Sequence, residues 1–233
     1  MRLDRFLTRH TPHTRNEVKH LLSSKRVAVS GEIEQDSHRE ISEFTEVALD
    51  GETLQKREAV YLMLHKPDGY LSATSDPQHP TVIDLIDHPN RSELHLAGRL
   101  DRASTGLLLL TNDGKWSRMV TEPDGEIAKT YRVTTRDPIL EETASIFGQG
   151  IYFAYEDLTT RPAQLEILGS HEALISIHEG RYHQVKRMFH AVGNKVLSLH
   201  RESIGPLVLD PDLAPGQCRS LTAPEIAHFR GRL

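Results

Sequence analysis

Cysteine is almost missing. Cys218 is the only one in 233 residues, so no internal disulfide framework can form and no thiolate zinc site can be assembled. Such usage fits a reducing compartment, and the expected location is the cytoplasm. Long apolar runs are missing too, and none approaches the roughly 18 residues of a membrane helix. The opening Met1-Arg2-Leu3-Asp4-Arg5 lacks the apolar core of a secretory signal. There is no Gly-x-Gly-x-x-Gly, no phosphate-cradling glycine loop and no His-Glu-x-x-His. The chain has 14 His, yet they show no ligand spacing. His178 and His183 straddle Gly180-Arg181, whose cation opposes a metal ion, and His190 and His200 fall in separate predicted elements. Neither a metal nor a cofactor is expected.

A surplus of positive charge is also lacking, since the formal net charge is −5. Its distribution is uneven. Residues 1–30 hold seven Lys and Arg against two acids, and residues 31–60 hold three against nine. A local basic patch, rather than the total, is the electrostatic footprint of nucleic-acid binding. In the basic head, Leu3, Phe6 and Leu7 follow i, i+3, i+4 spacing and predict a helix. Arg2, Arg5 and Arg9 share another of its faces. Thr14 and Glu17 form a capping-box pattern ahead of a second helix with Val18, Leu21 and Leu22 on its apolar side. Arg15 and Lys19 share the polar side. Arg26 opens a short strand that turns at Ser30-Gly31 and returns. The competing reading of these charges is a solvated helix surface.

The polar stretch Asp50 to Glu58 is expected to be a linker, dividing a head of residues 1–58 from a body of residues 59–233. In the body, strands are predicted over 60–64, 94–96, 107–110, 128–134, 165–168, 173–178, 196–199 and 207–209. Helices are predicted from Lys115, over 138–148 and 182–192, and from about Thr222, with Pro224 in its first turn. Strands and helices intermix without strict alternation. This argues for an α+β fold with a mixed, largely antiparallel sheet flanked by helices.

One segment stands out. Gly98-Arg99-Leu100-Asp101-Arg102-Ala103-Ser104-Thr105-Gly106, followed by four leucines, places an acid in a loop between two arginines, just before a buried strand. A loop acid so flanked is held in place and ionised. A purely structural aspartate paired to Arg99 or Arg102 has the same pattern.

The segment resembles the catalytic motif of pseudouridine synthases of the ribosomal small-subunit type. The resemblance extends along the chain in order. Met1-Arg2-Leu3-Asp4 with Phe6-Leu7 resembles the start of that family's N-terminal S4 (alpha-L) RNA-binding domain. Leu64-His65-Lys66-Pro67-Asp68-Gly69-Tyr70 is similar to its first catalytic motif, and Lys129-Thr130-Tyr131 to the strand with its active-site tyrosine. Glu179 to Phe189 is similar to the motif with a basic partner for the aspartate. Leu199-His200-Arg201-Glu202-Ser203-Ile204-Gly205 and Leu213-Ala214-Pro215-Gly216 continue the match. Ser104 departs from a usual Thr and His65 from a common Asn.

The resemblance implies an isomerase that converts uridine to pseudouridine without a cofactor, in 16S rRNA at uridine 516, within free RNA or a small-subunit assembly intermediate. It implies Asp101 as the single catalytic carboxylate, Lys186 as its ion-pair partner and Tyr131 as the ring against the target base. Arg2, Arg5, Arg15, Lys19, Arg26, Arg99, Arg102 and Arg187 would contact RNA. The residues by themselves leave Lys186 as a helical surface lysine and Tyr131 as an ordinary strand tyrosine. A monomer and no membrane association are expected. Three other functions remain open: a paralogue acting on 23S rRNA, a non-catalytic S4 assembly factor and a nucleoside hydrolase.

Overall fold

The computed structural model describes residues 1–122 and 127–230. The chain divides into two compact units, Met1–Ala59 and Val60–Leu233.

The first unit begins with α1 (Leu3–His10) and α2 (Arg15–Ser23). Leu3, Phe6, Leu7, Val18, Leu21 and Leu22 are all buried in one cluster with Val27, Val29, Ile41 and Val47. The spacing of apolar residues on both helices therefore becomes the core of the unit. The capping box at Thr14 and Glu17 is formed in both directions, which satisfies two amide donors at the start of α2. A four-stranded antiparallel sheet follows, in the order β2-β1-β3-β4: β1 (Val27–Val29), β2 (Glu32–Ile33), β3 (Val47–Leu49) and β4 (Glu52–Gln55). The expected linker over 50–58 is thus a correction. Its first half is a turn at Asp50-Gly51 and the edge strand β4. An edge strand with little apolar burial leaves no alternation for sequence reasoning to detect.

In the second unit, β5 (Tyr61–Lys66), β6 (His95–Leu96), β7 (Thr105–Thr111), α3 (Gly114–Thr121), β8 (Lys129–Thr135) and α4 (Glu142–Gln149) come first. A two-stranded ribbon of β9 (Tyr152–Phe153) and β10 (Leu158–Thr159) precedes β11 (Gln164–Gly169), β12 (Glu172–Ile177) and α5 (Gln184–Ala191). The chain continues through β13 (Val196–Ile204), β14 (Leu207–Val208), β15 (Cys218–Ser220) and α6 (Ala223–Arg230). The large sheet runs β11-β12-β8-β13-β7-β5-β15, with β6 beside β7 and β14 beside β13. All its pairings are antiparallel except β13 with β7. The α+β expectation, with a mixed and mainly antiparallel sheet, holds.

Most boundaries shift by one or two residues, and the larger differences are these. Helix α4 starts at Glu142 rather than 138. Strand β13 runs five residues beyond Leu199 through a polar sequence. The ribbon β9–β10 and strand β15 are too short and polar to show a period.

Strand β7 explains the central architecture. Leu107, Leu108, Leu109 and Leu110 are completely buried. A strand covered on both faces loses polar alternation and reads as a continuous apolar run. On one side of the sheet, α4 and α5 cover Val133, Ile175 and Leu199 with Phe147, Met188 and Phe189. Trp116 of α3 packs edge-on against Phe229 of α6 and Tyr61 of β5.

The parallel junction depends on a glycine. Gly106 has φ +105°, and a Cβ there would lie 2.3 Å from the Arg201 carbonyl oxygen. Both the left-handed backbone and the close approach exclude a side chain. Gly106→Ala should therefore destabilise the protein by about 3 kcal/mol or more, measured by denaturant unfolding. Gly31→Ala, at a turn with nothing within 4 Å of the added carbon, should cost about 1–2 kcal/mol, as expected for left-handed backbone alone.

Candidate active site

The loop that precedes β7 is fixed from below by a buried ammonium. Lys66, at the end of β5, is fully buried, and its Nζ donates to the carbonyl oxygens of Pro67, Arg102 and Ser104 at 3.0, 3.0 and 2.7 Å. Burial pushes this ammonium down to about 8. Other bonds clasp the same loop. The Gly69 amide donates to the Arg102 carbonyl, Arg102 Nε donates to the Gly69 carbonyl, and the Ser72 hydroxyl donates to the Leu100 carbonyl. Asp101 thus sits on a loop whose backbone is held on both sides.

The Asp101 carboxylate faces the start of α5. Lys186 Nζ donates to Oδ2 at 2.7 Å, and His183 Nε2 lies 3.3 Å from Oδ1. His183 is the N-cap of α5 in the left-handed region, with φ +50°, and its ring stacks on Tyr182 at 3.9 Å. A non-glycine residue held in that region is uncommon and tends to mark functional sites. The preceding turn is stapled by Glu179, a buried carboxylate that accepts from Arg181 Nε, Gln184 Nε2 and the Arg161 amide.

Asp101 opens onto a cavity of about 570 Å³. Its rim includes Arg99 and Arg102, and its floor includes Tyr131, Lys129 and Arg201. Lys129 and Tyr131 are two apart on β8 and line the same cavity, as strand alternation requires. Tyr131 pairs in register with Arg201 of β13, which pairs on its other side with Gly106. A cavity of this size fits the 300–1,000 Å³ of small-molecule and base-sized sites. Among the described residues, no cluster of three or more His, Cys, Asp or Glu could hold a metal ion. No helix among them is long and apolar enough to cross a membrane.

Of the residues singled out by sequence, Asp101, Tyr131, Lys186, Arg99 and Arg102 converge here. Arg187 does not extend into the cavity. Its guanidinium is paired with Glu156 and stacked 3.7 Å above the Phe153 ring, fastening the β9–β10 ribbon to α5. In the first unit, Arg2, Arg5, Arg9, Arg15 and Lys19 surround a basic cleft of about 480 Å³, with Arg2 also paired to Asp4. Arg26 lies outside that cleft lining and pairs with Asp50.

With this geometry in place, similarity to known proteins becomes decisive. A family model described as RNA pseudouridylate synthase matches residues 60–191, more than half of the chain. The chain belongs to that family. Similarity to whole proteins extends beyond that stretch. A crystal structure of a pseudouridylate synthase superposes with a TM-score of 0.72 at 41% identity, covering 98% of this chain and 99% of that one. "Ribosomal small subunit pseudouridine synthase A" of Pseudomonas aeruginosa is 49% identical, with 97% of this chain and 99% of the relative aligned. The protein of that name from Escherichia coli K12 is 46% identical over the same shares.

Four further residues around this cavity carry no role legible in the sequence. Lys66 and Arg201 lay within quoted motifs, but only burial reveals that their charges are enclosed. His183 was weighed only as a metal ligand. Lys129 showed its orientation but no task. The anchoring of the loop generates a test. Lys66→Met leaves the Arg102 and Ser104 carbonyls without this donor, so turnover should fall ten- to a hundredfold. The variant should also lose a pH signature. Because folding favours the neutral amine, the unfolded chain binds more protons between about pH 8 and the ordinary 10.5. Wild-type stability should therefore gain up to about 3 kcal/mol relative to Lys66→Met across that window, and nothing below it. Denaturant unfolding at pH 7 and pH 10 measures the difference.

Proposed function

We propose that this protein isomerises a uridine of 16S ribosomal RNA, at the position conventionally numbered 516, to pseudouridine. The observation that carries the reading is the lone Asp101 carboxylate, held by Lys186 at 2.7 Å beside a cavity with Tyr131 on its floor. Near-complete alignment with relatives named for the small ribosomal subunit supports the choice of RNA.

The chemistry suits a site with one free acid. The N1–C1′ bond breaks, the uracil turns, and C5 joins C1′. C5 then loses its proton and N1 gains one, so atoms balance without oxidant or cofactor. Ordinary glycoside hydrolysis uses two carboxylates and an attacking water. Here Asp101 is the carboxylate for C1′, and Lys186 and His183 hold its two oxygens in place. Tyr131 presents a ring for the flipped base and a hydroxyl for the C5 proton. The target must leave its stack to reach Asp101. Arg99 and Arg102 at the rim suit the flanking phosphates, and Arg187 acts indirectly by holding the ribbon.

The basic head, residues 1–58, serves as an S4-type RNA-binding domain. Arg2, Arg5, Arg15 and Lys19 supply phosphate contacts that orient rather than specify; Arg26 stiffens the turn at Asp50. Residues 59–233 form the catalytic domain, which acts as a cytoplasmic monomer on rRNA or a small-subunit assembly intermediate.

Mapping pseudouridine in rRNA from cells lacking the protein, with purified protein added back, tests the assignment. Loss and restoration at one 16S uridine is expected; a change confined to 23S rRNA overturns it. Asp101→Asn should bind the same RNA with affinity within about threefold and lose at least a thousandfold in single-turnover rate. Arg5→Glu combined with Arg15→Glu should weaken RNA binding and reduce the slope of log K against log salt by about 1–2. The single-turnover rate at saturating protein should change little.

A further inference from the structure

Arg201 is a buried charged group of this site without a counter-charge. It is 4% exposed. Its Nε donates to the Leu107 carbonyl at 2.7 Å, and its Nη1 lies 3.4 Å from both the Arg99 carbonyl and the Tyr131 hydroxyl oxygen. Its Nη2 is buried and has no hydrogen-bond partner. Among the described residues no carboxylate pairs with it. Asp101 is already engaged by Lys186 and His183, and Glu179 by Arg181. Lys129, on the same cavity floor, also pairs with no acid. Burial, and then the charge of Arg201, push its ammonium below the ordinary lysine range.

Three carbonyls satisfy the buried Lys66, whereas Arg201 keeps a buried nitrogen unbonded and faces no carboxylate, and such a group persists where a ligand supplies the missing partner. The floor of the cavity is therefore prepared for an anion. A phosphate is the wrong shape of answer, because Arg99 and Arg102 are exposed at the rim and meet the backbone first. The base is the group that descends to the level of Tyr131.

Resting on the isomerase reading above, we propose that Arg201, assisted by Lys129, is the counter-charge for the detached uracil. Heterolysis of N1–C1′ leaves the bonding pair on N1, and the uracil becomes a monoanion with charge spread onto O2 and O4. C1′ is meanwhile taken by the Asp101 carboxylate or held as a cation beside it. When C5 attacks C1′, the base gives its electron pair back and the carboxylate is released. C5 then loses its proton, and N1 takes one from water. A fixed cation in a water-poor site stabilises charge where it develops and needs no reorganisation. The same attraction retains the free base while it turns, which is the step that separates isomerisation from hydrolysis.

The experiment compares two small-subunit rRNA substrates, one with uridine and one with 5-fluorouridine at the target position. Fluorine withdraws electrons and stabilises the uracil anion without the protein's help. Single-turnover consumption of each substrate is measured for the full-length wild type, Arg201→Gln and Lys129→Met. Both variants should consume uridine RNA at least 30-fold more slowly, and fluorouridine RNA at most threefold more slowly. Affinity and its salt slope should stay at wild-type values. Equal slowing of both substrates would mean that these residues only shape the site, and would overturn the proposal. So would a loss confined to affinity and salt slope, which marks a phosphate contact. Should Arg201→Gln fail to fold, judged by circular dichroism, Lys129→Met on the surface of the floor carries the same comparison. A wild type inactive on uridine RNA would instead overturn the isomerase reading itself.

Discussion

The three bonds from the Lys66 ammonium to the carbonyls of Pro67, Arg102 and Ser104 set the position of everything around Asp101. A loop cannot ordinarily be buried, because its backbone polar groups would lack partners. Here one side chain satisfies two carbonyls of the Asp101 loop and one of its own, so the loop can lie against the end of β7 without losing bonds. Its charge is expensive to enclose, and that expense falls on stability. The result is a carboxylate on a backbone bonded from both sides, facing a helix start that holds both of its oxygens.

The sheet supplies the second constraint. At the junction of β7 and β13, Gly106, Arg201 and Tyr131 lie side by side across three strands. The glycine lets the two parallel strands approach, and the approach places the arginine under the tyrosine. Asp101 belongs to the loop leading into β7, so the same few residues position acid, ring and cation. The approach of Gly106 to the Arg201 backbone, where no Cβ fits, pins the register of the two strands.

Much of this was legible in the residues. The helices of the first unit followed from Leu3, Phe6, Leu7 and from Thr14 with Glu17, because amphipathic spacing and caps are local signals. Asp101 was visible as an acid among cations before an apolar run, and Lys186 and Tyr131 through resemblance. What stayed hidden depends on distance in three dimensions. Nothing local distinguishes the enclosed Lys66 or Arg201 from an exposed cation, and the edge strands β4 and β15 bury too little to show a period. Arg187 was expected to face RNA, whereas Glu156 and Phe153, more than 30 residues earlier, claim its guanidinium.

The pairing of β13 with β7 has a consequence for how the molecule comes into being. It joins Gly106 to Arg201, partners far apart in sequence. Contacts between remote segments are the slowest to form, because chain entropy is lost before any contact compensates for it. Asp101 and Tyr131 both emerge from the ribosome well before α5 and β13, yet neither has its cationic partner until those elements arrive. A nascent or partly folded chain therefore holds the acid and the ring but no working site. The appearance of activity is a late clock in the life of each newly made copy, running on the closure of one strand pair.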